Sequence, residues 1–312
     1  MKGVILAAGK GTRLYPVTYH IAKPLLHMAN RVTLEYAFDR LKEIGVTDIC
    51  IVVGEMEAQI REALQDGHCF GVKLTYVRQT TPHGLAHAVG FTKAFVAGDP
   101  FILYLGDGIY GKEFGEYADR FMTSGCANLN LVKPVDDPSR YGIANVSDER
   151  IVKLVEKPKN PESNLAMTGV YFFGPQIWDV LPDLKPSARG EYEITDAIQL
   201  LIDKGETVLA GVYDAPWFDT GTLDSFLETS AFLANGSRLI APSAIVNAKV
   251  GPGVVVGERA AVRCASIEDS VVLPDARVDV EGDIRHCLLG GCVHDEFSLE
   301  NVILYEEQGA TP

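Results

Sequence analysis

The sequence has no run of ~18 or more uncharged apolar residues, the length a membrane-crossing helix needs. An export leader is not expected either. Met1-Lys2-Gly3-Val4-Ile5-Leu6 is too short for the apolar stretch of a signal and runs directly into a buried-strand pattern. A cytoplasmic protein without a membrane partner is expected. Cations are the minority charge: 28 Lys and Arg stand against 42 Asp and Glu, a formal net charge of −14. That balance repels nucleic acid and anionic lipid in general. It reads first as solubility, and it leaves room for a pocket that gathers a few cations around a small anion. Cysteine is sparse. Cys50, Cys69, Cys126, Cys264, Cys287 and Cys292 are scattered and form no C-x-x-C, which excludes a secreted disulfide framework. His286, Cys287, Cys292 and His294 do crowd together, and these are zinc-ligand types. Ordinary burial of cysteine is the other reading of that cluster, and both stand.

What the chain does have is apolar content, 47%, enough for a sizeable core in about two domains. Short apolar runs at Gly3–Ala7, Asp48–Val53, Lys73–Val77 and Phe101–Leu105 read as strands. Between them, Leu34, Phe38, Leu41 and Ile44 recur at helical spacing, as do the apolar residues of Leu85–Val96, and Glu57–Gln65 also reads as helix. Such alternation through residue ~125 implies an α/β fold: a Rossmann-like, mostly parallel sheet with helices on both faces. Ligands of such sheets bind beyond the carboxyl ends of the strands. The loops after Ala7 and Leu105 are therefore expected to share one crevice. Tyr141–Val146, Ile151–Glu156 and Thr168–Phe173 read as hairpin strands. Helix Ile194–Ile202, strand Val208–Val212 and helix Thr222–Ala234 complete a first domain, expected over 1–236.

From about residue 240 the charged helical patterns stop. Val250, Val256 and Val262 are spaced by six, and Val272, Val278 and Ile284 resume that step in a shifted register. A six-residue aliphatic period predicts a short left-handed β-helix over 237–312, with a sandwich of short strands as the alternative. The open end of a short solenoid needs a cap or a partner, so a homo-oligomer is expected.

The densest chemistry lies in Leu6-Ala7-Ala8-Gly9-Lys10-Gly11-Thr12-Arg13-Leu14, followed by Pro16, Thr18 and Lys23-Pro24-Leu25-Leu26. A P-loop fails here, because Gly11 follows Lys10 and Val4 stands where its first glycine belongs. A dinucleotide fingerprint fails at Leu14. The physical content survives: small residues let backbone N–H groups approach phosphate, Arg13 offers a fork and Lys23 a point charge. A plain glycine turn with solvated cations is the bland alternative.

This string resembles the start of the sugar nucleotidylyltransferases, including the lysine ten residues after the arginine. Seven further segments follow in that family's order. They are Gln79–Ala86, Leu105-Gly106-Asp107, Tyr141-Gly142, Glu156-Lys157-Pro158, Thr168–Tyr171, Arg189–Asp196 and Trp217–Thr222. The resemblance covers roughly residues 1–235 and is nearest to the glucose-1-phosphate thymidylyltransferase branch in its longer form. It implies Mg²⁺-assisted transfer from dTTP to glucose 1-phosphate, with UTP as the alternative nucleotide. It implies catalytic roles for Arg13, Lys23, Asp107 and Asp219, the two aspartates being the metal ligands. Nucleotide binding is implied for Leu6, Ala8, Gly9, Gly11, Thr12, Arg13, Gln79 and Gly84. Sugar-phosphate binding is implied for Leu105, Tyr141, Gly142, Glu156, Lys157, Met167, Tyr171, Arg189 and Trp217. No general base is needed, since a sugar phosphate is already an anionic nucleophile. His27, Gly108 and Met167 depart from the family's usual proline, asparagine and valine. A non-catalytic regulatory subunit and a second, acyl-transferring activity in the repeat tract are the remaining rivals.

Overall fold

The computed structural model describes residues 1–307 and divides into two compact units. Unit 1 takes Met1–Gly9 and Ala37–Trp217; unit 2 takes Lys10–Tyr36 and the chain from Phe218 onward.

Unit 1 is an α/β unit built on a nine-stranded sheet. Its strand order is Lys73–Arg78, Asp48–Val53, Lys2–Ala7, Phe101–Leu105, Leu165–Phe173, Asn128–Pro134, Val208–Val212, Arg150–Glu156, Gly142–Ser147. The first four strands are parallel, with Ile5 opposite both Ile51 and Tyr104. They are near-continuous apolar runs, and Val4, Ile5, Ile51, Val52, Ile102 and Leu103 are wholly buried. Leu165–Phe173 runs antiparallel to its neighbours Phe101–Leu105 and Asn128–Pro134. Val208–Val212 returns to parallel pairing with Asn128–Pro134. At the far edge, Gly142–Ser147 and Arg150–Glu156 form a hairpin. Its two turn residues, Asp148 and Glu149, have φ of 47° and 65°, the left-handed pair that matches strand twist.

Helices Glu57–Leu64, Leu85–Gly90, Gly115–Ser124 and Ile194–Asp203 belong to the same unit. The expected single helix over Leu85–Val96 is two, Leu85–Gly90 and Lys93–Val96. Thr92 lies at the break, and its hydroxyl takes the Val89 carbonyl at 2.8 Å in competition with the helix ladder. Ile194–Asp203 lies against Arg150–Glu156, where the Gln199 carbonyl oxygen accepts from the Leu154 amide at 2.8 Å.

Unit 2 contains the continuation of the glycine-rich segment, the helix Leu223–Leu233 and a C-terminal stack of short parallel strands. Thr222 caps the helix, accepting from the Ser225 amide at 3.3 Å, while the Ser225 hydroxyl accepts from the Thr222 amide at 3.0 Å. In the stack, Leu239 pairs with Val255, Val255 with Val271, Val271 with Leu288 and Leu288 with Ile303. Ile245, Ala261, Arg277 and Cys292 form a second ladder, and Ser266 with Asp283 and Ile284 with Leu299 belong to a third. Partners are fifteen to seventeen residues apart, so each circuit of the chain visits three ladders. Val256, Val262, Ile267, Val272, Val278, Ile284, Leu289, Val293 and Leu299 fill the interior. The six-residue step is therefore real but shortens to five or four at Ile267, Val272, Leu289 and Val293. Val255, Val271 and Leu288 point the other way from this interior and are nevertheless buried. On that side Asn30 donates to the Val256 carbonyl at 3.1 Å and His20 stacks on Tyr305 at 4.3 Å. Residues 308–312, the end of the expected 237–312 domain, lie outside the described residues.

Candidate active site

In unit 1 the carboxyl ends of neighbouring strands gather several of the expected residues. The Leu6 carbonyl accepts from the Gly106 amide at 3.0 Å, which ties the end of the first strand to the turn carrying Asp107. On the other side, a side chain on Gly54 would come within 2.7 Å of the Ala8 carbonyl, so the backbone carrying Ala8 and Gly9 passes close to the next strand's end. The Gln79 amide donates to the Val53 carbonyl at 2.9 Å. Leu6, Ala8, Asp107 and Gln79 thus share the sheet edge at which α/β folds bind ligands. Leu105 packs against Gly169, whose φ of 97° and lack of Cβ make the approach possible.

The segment after Gln79 is clamped. Gly84 has φ 104°, and a Cβ there would lie 2.5 Å from the Tyr192 carbonyl oxygen. Tyr192 donates its amide to the His83 carbonyl at 2.8 Å and accepts from the Ala86 amide at 3.0 Å. The Gln79 side chain is buried, and its Nε2 reaches the Gly84 carbonyl at 3.3 Å and His87 Nδ1 at 3.0 Å.

A second group of expected residues forms one network in the same unit. Glu156 accepts from the Thr195 hydroxyl at 3.1 Å and from Arg189 Nη1 at 3.5 Å, and the Lys157 ammonium lies 3.7 Å away. Arg189 also reaches Glu193 at 3.3 Å and Glu191 at 3.4 Å. Glu193 is almost wholly buried and accepts from the Ser187 hydroxyl at 2.9 Å. Burial raises its pKa above the ordinary carboxylate value; the Ser187 hydrogen bond opposes this and the neighbouring Glu156 adds to it. Gly142 lies under the network, where a Cβ would strike Thr195 at 2.5 Å and Glu156 Oε2 at 3.0 Å. Met167 flanks the same spot, with Cγ 3.4 Å from that absent Cβ. The Tyr141 and Trp217 rings lie 5.4 Å apart. Tyr171 is buried; burial, and secondarily the Glu156 charge, hold its phenol protonated. Lys157 has φ 43° and donates its amide to the Tyr141 carbonyl at 3.0 Å.

Unit 2 holds the cations of the glycine-rich segment, Arg13 and Lys23. Gly11 has φ 65°, and the stem of Lys23 lies across it, with Lys23 Cβ and Thr18 Cγ2 each 3.1 Å from where a Cβ would stand. The Thr18 hydroxyl donates to the Gly11 carbonyl at 2.8 Å. Thr12 and Arg13 follow in a short 3-10 turn. The Arg13 guanidinium and the Asp219 carboxylate converge on Gly221: a Cβ there would collide with Arg13 and lie 2.7 Å from Asp219 Oδ1. Asp107 belongs to unit 1 and Asp219 to unit 2.

Several neighbours of these residues were given no role from the sequence: Thr195 and Glu193 around Glu156, Tyr192 and His87 around Gln79, Thr18 and Gly221 around the cations. Thr18, Thr195, Glu193 and Gly221 stand inside motifs read from the sequence, and that adjacency was the available signal. The three departures are also accounted for locally. A side chain at Gly108 would meet the Tyr110 ring at 2.9 Å. His27 is held below its ordinary pKa chiefly by burial, and Met167 is buried beside Gly142.

The histidine–cysteine cluster does not converge. His286 is bound by Asp269 at 2.5 Å and Asp224 at 2.8 Å. Cys287 is wholly buried and donates its thiol to the Arg285 carbonyl at 3.0 Å. Cys292 and His294 line a shallow trough of about 450 Å³ on the outer face of the strand stack, with Ile245, Ala261 and Arg277. Among the described residues no three or more His, Cys, Asp or Glu are grouped to hold a metal ion. No helix there is long and apolar enough to cross a membrane.

A family model described as nucleotidyl transferase matches residues 2–236. The chain belongs to that family. It is 35% identical to the low-salt glycan biosynthesis nucleotidyltransferase of Haloferax volcanii, over 93% of this chain and 92% of that one. It is 33% identical to the glucose-1-phosphate thymidylyltransferase of Streptomyces antibioticus, with the same coverage. A Bacillus anthracis structure described as a glucose-1-phosphate thymidylyltransferase in complex with sucrose superposes with a TM-score of 0.70 at 36% identity. That match covers 74% of this chain and 94% of the other. Family membership gives the chain its chemistry, nucleotidyl transfer.

Proposed function

We propose that the protein transfers a thymidylyl group from dTTP to α-D-glucose 1-phosphate, giving dTDP-glucose and pyrophosphate. The observation that carries this is the network around Glu156. It sets a hydroxyl-accepting carboxylate 3.7 Å from the Lys157 ammonium, next to Thr195 and Arg189. Those are the groups a phosphorylated sugar requires: acceptors and donors for hydroxyls, and a cation for the phosphate.

In this reading Lys157 holds the sugar phosphate, while Glu156, Tyr141, Tyr171 and Trp217 border the sugar. A phosphate oxygen of the sugar attacks the α-phosphorus of dTTP, the bond to the bridging oxygen breaks, and pyrophosphate leaves with the electron pair. Lys23 stabilises charge at the α-phosphate and Arg13 stabilises the leaving pyrophosphate. Two polyanions must meet, so alignment and charge neutralisation supply the rate. The carboxylates of Asp107 and Asp219 are hard oxygen donors of the type Mg²⁺ takes, and they would hold it. Bound there, the ion supplies further neutralisation of phosphate charge. Gln79 and Gly84 face the base.

We take residues 1–236 as the catalytic domain and 237–312 as a left-handed β-helix. The family match ending at residue 236 supports that division. The three-ladder circuit supports a coiled architecture, and exposed Leu239, Ile240 and Ile245 on the first circuit support a homo-oligomer. A cytoplasmic setting suits the substrates.

The test is a panel of dTTP, UTP, dCTP and ATP against several sugar 1-phosphates with Mg²⁺, read by pyrophosphate release. The expected best pair is dTTP with glucose 1-phosphate. A large preference for UTP would overturn the nucleotide assignment. Absence of turnover with every pair would favour a binding subunit.

A further inference from the structure

A carboxamide can read a base in two opposite senses, because Oε1 accepts and Nε2 donates. In Gln79 the choice is already made by the protein. The Gly84 carbonyl can only accept, so the end of the amide 3.3 Å from it is Nε2. The same Nε2 lies 3.0 Å from His87 Nδ1. Both of its hydrogens are thereby committed, and Nδ1 must be the lone-pair nitrogen, with the imidazole proton on His87 Nε2. Oε1 accepts from none of the described residues and is not sealed from solvent.

His87 is itself held firmly. It lies in the helix Leu85–Gly90, entered through the constrained Gly84. Its ring lies near-parallel to Tyr192 at 6.1 Å and edge-on to Phe91 at 5.0 Å and His83 at 5.3 Å. Burial first, and His83 second, lower its pKa, so the neutral form that Gln79 needs is the favoured one. Histidine, phenylalanine and tyrosine thus face it from the turn, its own helix and the Tyr192 strap.

We propose that His87 is a specificity-positioning residue: its Nδ1 lone pair locks the Gln79 amide so that Oε1 alone meets the nucleobase, selecting bases whose ring N3 carries hydrogen. Thymine and uracil present that N–H; cytosine presents a lone pair, and acceptor would face acceptor. The inference rests on the reading of Gln79 as base-facing. It adds that a histidine eight residues on sets the sense of recognition.

The test measures Kd for dTTP and dCTP with Mg²⁺ by calorimetry between pH 5 and 8. At pH 7.5, His87→Ala is expected to lose about tenfold of the dTTP-over-dCTP preference, since only the 3.3 Å bond to the Gly84 carbonyl then opposes a turn of the amide. His87→Gln, whose own oxygen can accept from Gln79, is expected to keep most of it. In the unsubstituted protein the preference should fall toward pH 5, as a protonated Nδ1 presents a donor to a donor, whereas in His87→Ala it should not vary with pH. Nitrogen-15 spectra of labelled histidine should report the Nε2–H tautomer for His87. An Nδ1–H tautomer overturns the proposal. So does an unchanged preference in folded His87→Ala alongside a collapsed one in Gln79→Ala, which leaves the base-facing reading intact. An unchanged preference in Gln79→Ala overturns both.

Discussion

Gly221 contributes by having no side chain. The Arg13 guanidinium and the Asp219 carboxylate both occupy the volume that a Cβ would need. Gly221→Ala must push one or both aside, and misplacement of a catalytic group by about 1 Å costs on the order of 10²-fold in rate. The expected outcome is a ~10²-fold loss in kcat/KM with Tm changed by less than about 3 °C, read by pyrophosphate release and calorimetry. Full activity would mean that Arg13 and Asp219 do not work from where they stand. Lys157 is a different case, since in the proposed function its partner is substrate. Lys157→Ala removes one charge-assisted hydrogen bond, about 1.5–3 kcal/mol, so the KM for glucose 1-phosphate should rise about 10–100-fold. A rise confined to the KM for dTTP would assign the lysine to the wrong substrate. Glu156, Lys157 and Arg189 were legible in the sequence because they sit in short motifs. The donor to Glu156, Thr195, lies 39 residues away, and nothing local announces that pairing.

At the scale of elements, apolar runs and helical spacing located the parallel strands to within a residue or so. Lys2–Ala7, Asp48–Val53, Lys73–Arg78 and Phe101–Leu105 stand where buried runs are written. Asn128–Pro134 escaped that reading although it lies inside the sheet, because Asn128 and Asn130 interrupt its apolar face. Both asparagines are wholly buried. Asn128 Nδ2 donates to the Phe172 carbonyl at 2.9 Å and Asn130 Nδ2 donates to Asn128 Oδ1 at 2.6 Å, pairings that a strand pattern cannot reveal, while Asn130 Oδ1 has no partner among the described residues. In the C-terminal stack the six-residue step was legible but its shortening was not, since circuit length is set by how corners pack. The interior side chains pack on one another from layer to layer, so truncation leaves a void among them. Leu289→Ala, at a wholly buried position, is expected to cost about 2–5 kcal/mol in urea unfolding, whereas the exposed Asn247→Ala should stay within about 0.5 kcal/mol. A loss below about 1 kcal/mol at Leu289 would mean that the interior collapses around the void.

For the molecule as a whole, charge and pH act together. With a net charge of −14 and a sequence pI near 4.9, self-repulsion relaxes as pH falls, so stability of the unsubstituted chain alone cannot isolate one group. His286 offers a way to separate the terms. It joins segments far apart in sequence within unit 2: Nδ1 meets Asp269 on the strand stack at 2.5 Å, and Nε2 meets Asp224 in the first turn of helix Leu223–Leu233 at 2.8 Å. The hydrogen bond to Asp269 is the main reason its pKa is raised above 6.5; partial burial opposes the shift and Asp224 reinforces it. A histidine with a raised folded pKa stabilises fully below its unfolded value and loses that contribution as pH rises through the folded one. His286→Gln removes the charge but retains hydrogen-bonding atoms. Its Tm should lie below that of the unsubstituted protein by roughly 2–4 °C near pH 6, the scale of a screened, part-exposed ion pair. The difference should shrink as pH climbs past the raised pKa, while the global charge acts on both proteins alike and cancels in the comparison. Added salt should narrow the gap at pH 6 and leave it unaltered at high pH. A Tm gap that is flat with pH, or that widens as pH rises, would mean that His286 is neutral in its carboxylate clamp.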